Sequence, residues 1–156
     1  MPRDAEPSER LVAQNRRARH DYFILETIEA GLVLKGTEVK SLRQGKASIA
    51  EAYAVVEGSE VFVLQMHIPP YEQGNRWNPD PLRKRKLLLH GAEIHKLRKA
   101  TEQKGNTLVP LTLYFRRGHA KLVLGVGRGK KSYDKRRSIA ERDARREMER
   151  ARSARS

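Results

Sequence analysis

The pattern of apolar and polar positions along the chain is typical of a small domain built mainly from β-strands. Short runs of β-branched and aromatic residues are separated by turn signals, and they predict strands over residues 22–28, 53–56, 61–64, 108–115 and 121–126. The Gly-containing turn at residues 57–60 predicts one hairpin, and residues 117–119 predict another. Pro110 lacks a backbone donor, which indicates an edge position or a bulge in its strand.

Helical periodicity is limited to two short segments within this strand-rich region. A helix is predicted over residues 38–43, where Thr37 is placed as its N-cap and Gly45 ends it. A second helix is predicted over residues 92–104, with Gly105 as its C-terminal cap. Short antiparallel strands with a few helices predict a mainly β fold, either an open sheet or a small closed barrel that the helices plug or cap.

The polarity pattern divides the chain into three parts. Residues 1–14 are polar and contain two prolines, so we expect a disordered lead-in. Residues 15–127 are predicted to form the folded domain, with a proline-rich loop over residues 69–81. Residues 128–156 form a basic tail with a thin apolar stripe, so we expect it to be disordered alone and helical on a partner.

Charge narrows the class of partner. The chain of 156 residues has 33 Lys and Arg against 19 Asp and Glu, a net charge of +14. A surface of this kind attracts polyanions and releases their counterions on binding, so nucleic acid is the favoured partner. The alternative is a highly charged soluble protein without such a partner.

Several function classes are disfavoured by what the sequence lacks. It has no cysteine, no apolar run long enough for a membrane span and no apolar segment typical of a signal peptide, so we expect a cytoplasmic location without a membrane partner. The histidines lack metal-site spacing, and the glycines of residues 125–132 lack P-loop spacing. We therefore expect a protein that is not an enzyme and that needs no cofactor or metal.

Candidate RNA contacts follow from side-chain chemistry. Arginine binds phosphate through two donors and stacks on bases, and histidine adds a ring. These residues are Arg16, Arg17, Arg19 and His20, for which the alternative is a solvated charge run. Further candidates are Lys40, Ser41, Arg85 and Lys86, although Ser41 could equally satisfy local backbone.

Strand alternation adds two candidates. If Leu87 and Leu89 face the core, Leu88 faces outward and can pack against an unstacked base, whereas the alternative is simple core packing. Lys121 alternates with Leu122 and is expected to face away from the core, where a phosphate can meet it.

Several sequence blocks, in their order and spacing, strongly resemble the small protein B family of SsrA-binding proteins. They are NRRARHDY at 15–22, EAG at 29–31, GTEVKSLRQGK at 36–46, RKLLL at 85–89 and GKKSYDKR at 129–136. The resemblance implies an oligonucleotide-binding-type (OB-like) antiparallel β-barrel with helices and a basic tail. It also implies binding to the tRNA-like domain of transfer-messenger RNA, one protein copy per RNA.

The resemblance implies a role in rescuing stalled ribosomes. The family escorts this RNA, charged with alanine and carried by elongation factor Tu, to ribosomes that lack a downstream codon. The protein then stands where an anticodon arm would be, at the small-subunit decoding centre, and its tail probes the empty mRNA channel. A generic ribosomal or RNA-packaging protein is the competing reading of the same charge, and an RNA-processing enzyme is a third.

The resemblance also carries individual residues. Positions linked to the RNA in the family match Asn15, Glu29, Leu88 and Lys121. The ribosome-facing tail motif matches Lys130, Lys131, Asp134, Lys135 and Arg136. Tyr133 stands where some members have His, so a stacking role would be kept and a titrating role lost.

Glu29 needs a separate explanation because a carboxylate repels phosphate. It could accept a hydrogen bond from a base amino group or a 2′-hydroxyl, or it could hold a nearby arginine in place. The alternative is a turn residue before Gly31.

Overall fold

The computed structural model describes residues 9–72, 78–130 and 142–151. Its strands are β1 (Glu9–Gln14), β2 (Tyr22–Leu32), β3 (Tyr53–Glu57), β4 (Glu60–Leu64), β5 (Arg85–Leu88), β6 (Asn106–Arg116) and β7 (His119–Gly129). Its helices are α1 (Ala18–Asp21), α2 (Gly36–Arg43) and α3 (Gly91–Glu102). Residues 142–151 are also helical, and their side chains are exposed.

The strands form one sheet in which every described pairing is antiparallel. Its order is β1-β6-β3-β4-β5-β2-β7, and β6 also pairs with β7, so the pairings from β6 to β7 form a closed ring to which β1 is added beside β6. One edge of β6 is shared: Leu108 pairs with β3, and residues 112–116 pair with β1. The prediction of a mainly antiparallel β fold with a few short helices is confirmed.

The main core lies on the inner face of these strands. Alternate residues of β6 and β7 point inward, and Leu113, Leu122 and Leu124 are fully buried. Leu97 of α3 and Leu42 of α2 join the same cluster, which holds both helices against the sheet. Each leucine buried in this way stabilises the fold by roughly 1.5–3 kcal/mol of transfer free energy.

A second, smaller apolar cluster lies on the opposite face of the sheet. Ala18 of α1 packs there against Val109 and Leu111 of β6, together with Tyr22 and Ile24 of β2. Because α1 is too short to be stable alone, this packing is what holds it on the outside of the sheet. The arginines around α1 are thereby fixed on the outer surface.

Most local predictions are confirmed by the structure. β3 and β4 form a hairpin whose turn contains Gly58 at φ +61°, and β6 and β7 form another. The register shifts between Pro110 and Thr112, which is the bulge that the proline indicated. The predicted cap of α2 is wrong, since the N-cap is Lys35, whose amide donates to the Glu38 carboxylate at 2.9 Å.

The beginning of the chain requires a correction. Residues 9–14 belong to the predicted disordered lead-in, but they form β1 and pair with β6. Val12 and Ala13 pack against the main core, and this burial offsets the entropy lost on ordering. The partner strand is about a hundred positions away along the chain, so local composition does not reveal the pairing.

Among the described residues, no helix is long and apolar enough to cross a membrane.

Candidate nucleic-acid interface

The outward-pointing side chains of β2, β7 and β6, together with one residue of β5, form a surface that we call the outer face. One row of paired residues crosses it from Leu88 through Gly31 and Lys121 to Tyr114. The outer face consists of Thr27, Glu29, Gly31, Leu88, Thr112, Tyr114, Arg116, Lys121 and Val123.

Leu88 is an exposed apolar residue on this surface. Its side chain is 56% exposed, whereas that of its neighbour Leu87 is 1% exposed. The predicted alternation is therefore confirmed, and core packing is excluded for Leu88. Gly31 lies directly beside it and contributes no side chain, so Leu88 and Lys121 flank a shallow depression that Glu29 also lines.

The Glu29 carboxylate is held by two donors from β6. Tyr114 donates its hydroxyl hydrogen to Oε2, and Arg116 donates from Nη1 to Oε1 at 2.9 Å. Glu29 lies inside β2, paired with Val123, so its interpretation as a turn residue is wrong. The hypothesis that it holds an arginine in place agrees with this geometry. The guanidinium offsets the negative charge that would otherwise repel phosphate.

The segment before α1 is anchored to the bulge of β6. The Asn15 backbone N–H donates to the Leu111 carbonyl at 2.8 Å, and the Asn15 side-chain Nδ2 donates to the Pro110 carbonyl at 3.1 Å. Asn15 thus has a structural role that the sequence did not reveal. With the segment fixed, the exposed side chains around α1 extend from the outer surface, namely Arg16, Arg17, Arg19 and His20.

We call these four exposed side chains, Arg16, Arg17, Arg19 and His20, the α1 cluster. Lys130, which was predicted as part of the tail, lies beside it. Its ammonium donates to the Arg19 carbonyl at 2.9 Å and lies 5.2 Å from the centroid of the Phe23 ring. The other residues of the predicted tail motif lie outside the described residues, namely Lys131, Tyr133, Asp134, Lys135 and Arg136.

The α1 cluster and the outer face are continuous. Arg16 and Arg19 line one depression with Thr27, Thr112 and Val123 of the outer face. The structure therefore brings six of the predicted RNA contacts to one side of the molecule, namely Asn15, Arg16, Arg19, Glu29, Leu88 and Lys121.

Arg85 was predicted to contact RNA, and the structure contradicts this. Its side chain is 0% exposed, and its Nε donates to Oε2 of Glu38 at 2.8 Å. It also donates to the carbonyls of Met66 at 2.6 Å and Pro81 at 3.0 Å. All of these bonds would have to break before Arg85 could reach a phosphate.

Ser41 was also predicted as an RNA contact and is also buried. Its hydroxyl donates to the Pro69 carbonyl at 2.8 Å, so it satisfies backbone, but backbone that is distant in sequence. Lys40 and Lys86 are exposed, and Lys86 shares the outward direction of Leu88, but neither lines the depressions around the other candidates. Lys40 lies 5.6 Å from the centroid of the Tyr71 ring, and Lys86 forms an ion pair with a glutamate of β4 at 2.8 Å.

The buried pair of Glu38 and Arg85 has perturbed ionisation. Burial raises the pKa of the Glu38 carboxyl, but hydrogen bonds from Arg83, the Lys35 amide and Arg85 outweigh it, so the pKa lies below the ordinary value. Burial also lowers the pKa of Arg85, which hydrogen bonding and charge attraction from Glu38 partly offset. The pair stays ionised and ties α2 to β5 and to the loop between β4 and β5.

Tyr114 and Arg116 are site residues that sequence reasoning missed. Strand alternation is the signal that could have found them, since Leu113 and Phe115 belong to the main core and Tyr114 and Arg116 alternate with them. In the part of the chain that the structure describes, no group of three or more His, Asp or Glu residues is arranged to hold a metal ion.

Comparison with known proteins identifies the family. A model of the SmpB protein family matches residues 12–154. The chain belongs to the SmpB family. The resemblance to small protein B is thereby confirmed over nearly the whole sequence.

Individual SmpB relatives are similar over most of their length. The SsrA-binding protein of Acetivibrio thermocellus is 62% identical over 146 residues, which cover 94% of this chain and 95% of the relative. The SsrA-binding protein of Bacillus subtilis strain 168 is 55% identical over 144 residues, covering 92% of each chain. A solved chain described as "tmRNA-SmpB: a journey to the center of the bacterial ribosome" has a TM-score of 0.66 and 56% identity. The aligned region covers 78% of this chain and 85% of the solved chain.

Proposed function

We propose that the chain binds the tRNA-like domain of transfer-messenger RNA and brings it to stalled ribosomes. The observation that carries this proposal is the gathering of Arg16, Arg19, Glu29, Leu88 and Lys121 on one side of the molecule. Membership of the SmpB family supports it. The protein acts as an RNA-binding adaptor, one copy per RNA, with no catalytic step of its own.

The contacts on this side differ in their chemistry. Arg16, Arg19 and Lys121 supply positive charge for phosphates, which gives affinity without sequence information. Leu88 offers an apolar surface to an unstacked base, and Glu29 offers acceptor oxygens to an amino group or a 2′-hydroxyl. Shape and hydrogen bonding, added to charge, are what would separate one folded RNA from another.

The closed set of strand pairings supports the interpretation of the domain as an OB-like barrel. In this interpretation β1 belongs to the domain, which then begins at residue 9 and extends to about residue 127. OB-like barrels bind oligonucleotides on an outer strand face, and β2, β7 and β6 provide such a face here.

The basic tail, residues 128–156, is the part that would probe the empty mRNA channel at the small-subunit decoding centre. Ribosomal RNA surrounds such a channel with phosphate, which a basic segment can meet on every side. Elongation factor Tu would take part indirectly, through the alanyl-charged RNA. A tail of scrambled order and equal charge separates shape-specific insertion from electrostatic tethering, since only tethering survives scrambling.

A reconstituted rescue assay tests the proposed function. Ribosomes stalled on an mRNA without a stop codon are supplied with alanyl-charged transfer-messenger RNA and elongation factor Tu, with or without this protein. We expect addition of the encoded tag only when the protein is present. Equal tagging without it, or no tagging with it, would contradict the proposal and favour a generic ribosome-associated RNA-binding protein.

A further inference from the structure

A cavity opens between the segment that contains α1 and the turn that precedes β3. It forms where β6 changes partners, since Leu108 pairs with β3 and Thr112 pairs with β1, while Val109 lies between them. The segment around Asn15 lies over this part of β6, where the Asn15 side chain donates to the Pro110 carbonyl. The polar and aromatic lining of the cavity consists of Asn15, Arg17, Asp21, Tyr22, Glu51, Tyr53 and Thr107, and its apolar surface includes Val109 and Ala52.

Tyrosine side chains from two different strands line this cavity. Tyr22 lies against Gly127 of β7, where an added Cβ would come within 3.1 Å of the Tyr22 Cβ, so the glycine makes room for the ring. Tyr53 stands on β3 and is 41% exposed. Both residues sit at fixed strand positions, which limits the entropy lost when a ring is covered by a ligand.

The polar groups of the cavity suit a nucleotide. Arg17 is exposed at the rim, with Arg16 and Arg19 close to it in sequence, and these arginines can bind the phosphates on either side of an inserted base. Asn15 lines both this cavity and the depression beside the outer face, so the two surfaces adjoin. The Glu51 carboxylate adds an acceptor for base amino groups.

We propose that this cavity binds a single unstacked base of RNA, with Tyr53 as its stacking surface. The inference rests on the proposed function, which it deepens by adding a base site next to the outer face. Tyrosine stacks on a base of any identity, and base–aromatic stacking is the usual way that proteins hold single-stranded nucleotides. The Glu51 carboxylate accepts from exocyclic amino groups, which adenine, cytosine and guanine carry and uracil lacks.

The base can come from transfer-messenger RNA or from ribosomal RNA, and both are tested. Dissociation constants are measured for the isolated tRNA-like domain and for purified ribosomes, using wild-type protein and the variants Tyr53→Ala and Tyr53→Phe. Tyr71→Ala serves as the matched control, because it removes a ring that lies against Lys40 outside the cavity. Thermal unfolding of each variant checks that the fold is kept.

We expect Tyr53→Ala to weaken binding to one of the two RNAs by roughly 5- to 150-fold, while Tyr53→Phe and Tyr71→Ala stay within about twofold of wild type. The RNA that is affected identifies the source of the base. Binding of wild-type protein to an elongator tRNA is measured in parallel. Unchanged binding of Tyr53→Ala to both RNAs, while the wild type still prefers the tRNA-like domain to the elongator tRNA, would overturn this inference and leave the proposed function intact. Wild-type protein without that preference would overturn the proposed function instead.

Should Tyr53→Ala prove unstable, the variant Glu51→Lys tests the same site on an exposed residue. An inserted amino-bearing base would lose its acceptor and meet a positive charge. We expect weaker binding to the same RNA by at least about fivefold, although the added charge favours RNA in general. Equal or tighter binding to both RNAs would overturn the inference.

Discussion

Arg116 and Glu29 form an ion pair across β7, with Nη1 and Oε1 2.9 Å apart, although their strands are not neighbours at that point. The guanidinium also lies 5.3 Å from the centroid of the Tyr114 ring, whose hydroxyl donates to the same carboxylate. These contacts fix the orientation of Glu29 and offset its charge. An acidic side chain can therefore lie within an RNA interface without repelling the phosphates.

Removing the Arg116 guanidinium should leave the Glu29 carboxylate to repel the RNA phosphates. We expect Arg116→Ala to weaken binding to the tRNA-like domain about five- to tenfold, which corresponds to about 1–1.4 kcal/mol for a half-exposed charge-assisted bond. Most of this loss should disappear when Glu29 is also changed to Gln, because only the Glu9 carboxylate, 3.4 Å from Arg116 Nε, then remains to be offset. A double-mutant cycle measured by filter binding checks this, with Arg98→Ala on α3 as the control. Additive losses in the cycle would contradict the coupling.

Leu88 and Leu87 provide a matched pair for separating binding from stability. Leu88→Ala removes an exposed side chain, so we expect the free energy of unfolding to change by less than about 0.5 kcal/mol and binding to weaken severalfold. Leu87→Ala removes a fully buried one and should cost about 2–5 kcal/mol of unfolding free energy. Urea unfolding and RNA titration of both variants check the prediction. A binding loss in Leu88→Ala that tracks a loss of stability would show that the residue is structural.

The buried Glu38–Arg85 pair should make stability depend on pH. The folded-state pKa of Glu38 lies below its unfolded value of 4.5, so its stabilising contribution is present above pH 4.5 and is lost as the pH falls below that value. Glu38→Gln should be less stable than wild type at pH 7, by about 3–5 kcal/mol if the buried arginine is left uncompensated. The difference should narrow as the pH falls from 4.5 towards 3, as measured by urea unfolding. A constant difference over that range would contradict the assignment.

Lys121 should contribute to affinity through phosphate. We expect Lys121→Ala to weaken binding and to reduce the slope of log affinity against log salt by about one, because one fewer counterion is released. Lys99→Ala removes an exposed lysine of α3 and should leave the slope unchanged. Binding titrations between about 50 and 200 mM salt, over which log affinity should fall linearly with log salt, provide the measurement. Equal slopes for Lys121→Ala and wild type would exclude a phosphate contact.

Period-two alternation carried most of what could be predicted from the sequence. It placed Leu88 outward and Leu87 inward correctly, because burial on one face is imposed locally by the strand itself. The turn residues at 57–60 and 117–119 predicted both hairpins. The same rule placed Lys121 away from the core, and the paired row across the outer face agrees with that.

Interactions between distant parts of the chain account for the errors. Arg85 alternates with Lys86 and shares the inward direction of Leu87, but its basic character suggested a surface role. Its partner Glu38 is 47 positions away, so nothing local showed that a buried charge would be compensated. The ordering of β1 and the contacts of Glu29 with β6 depend on pairings across the sheet, which a single sequence does not specify.

Binding to the tRNA-like domain of transfer-messenger RNA, compared with an elongator tRNA at near-physiological salt, tests the central claim most directly. Nonspecific electrostatic binding collapses as salt rises, whereas recognition through Glu29, Leu88 and the arginines around α1 should retain its preference. We predict a clear preference for the tRNA-like domain that persists with added salt. Equal binding to both RNAs that disappears with salt would mean that net charge alone explains the interaction, and it would contradict the proposed function.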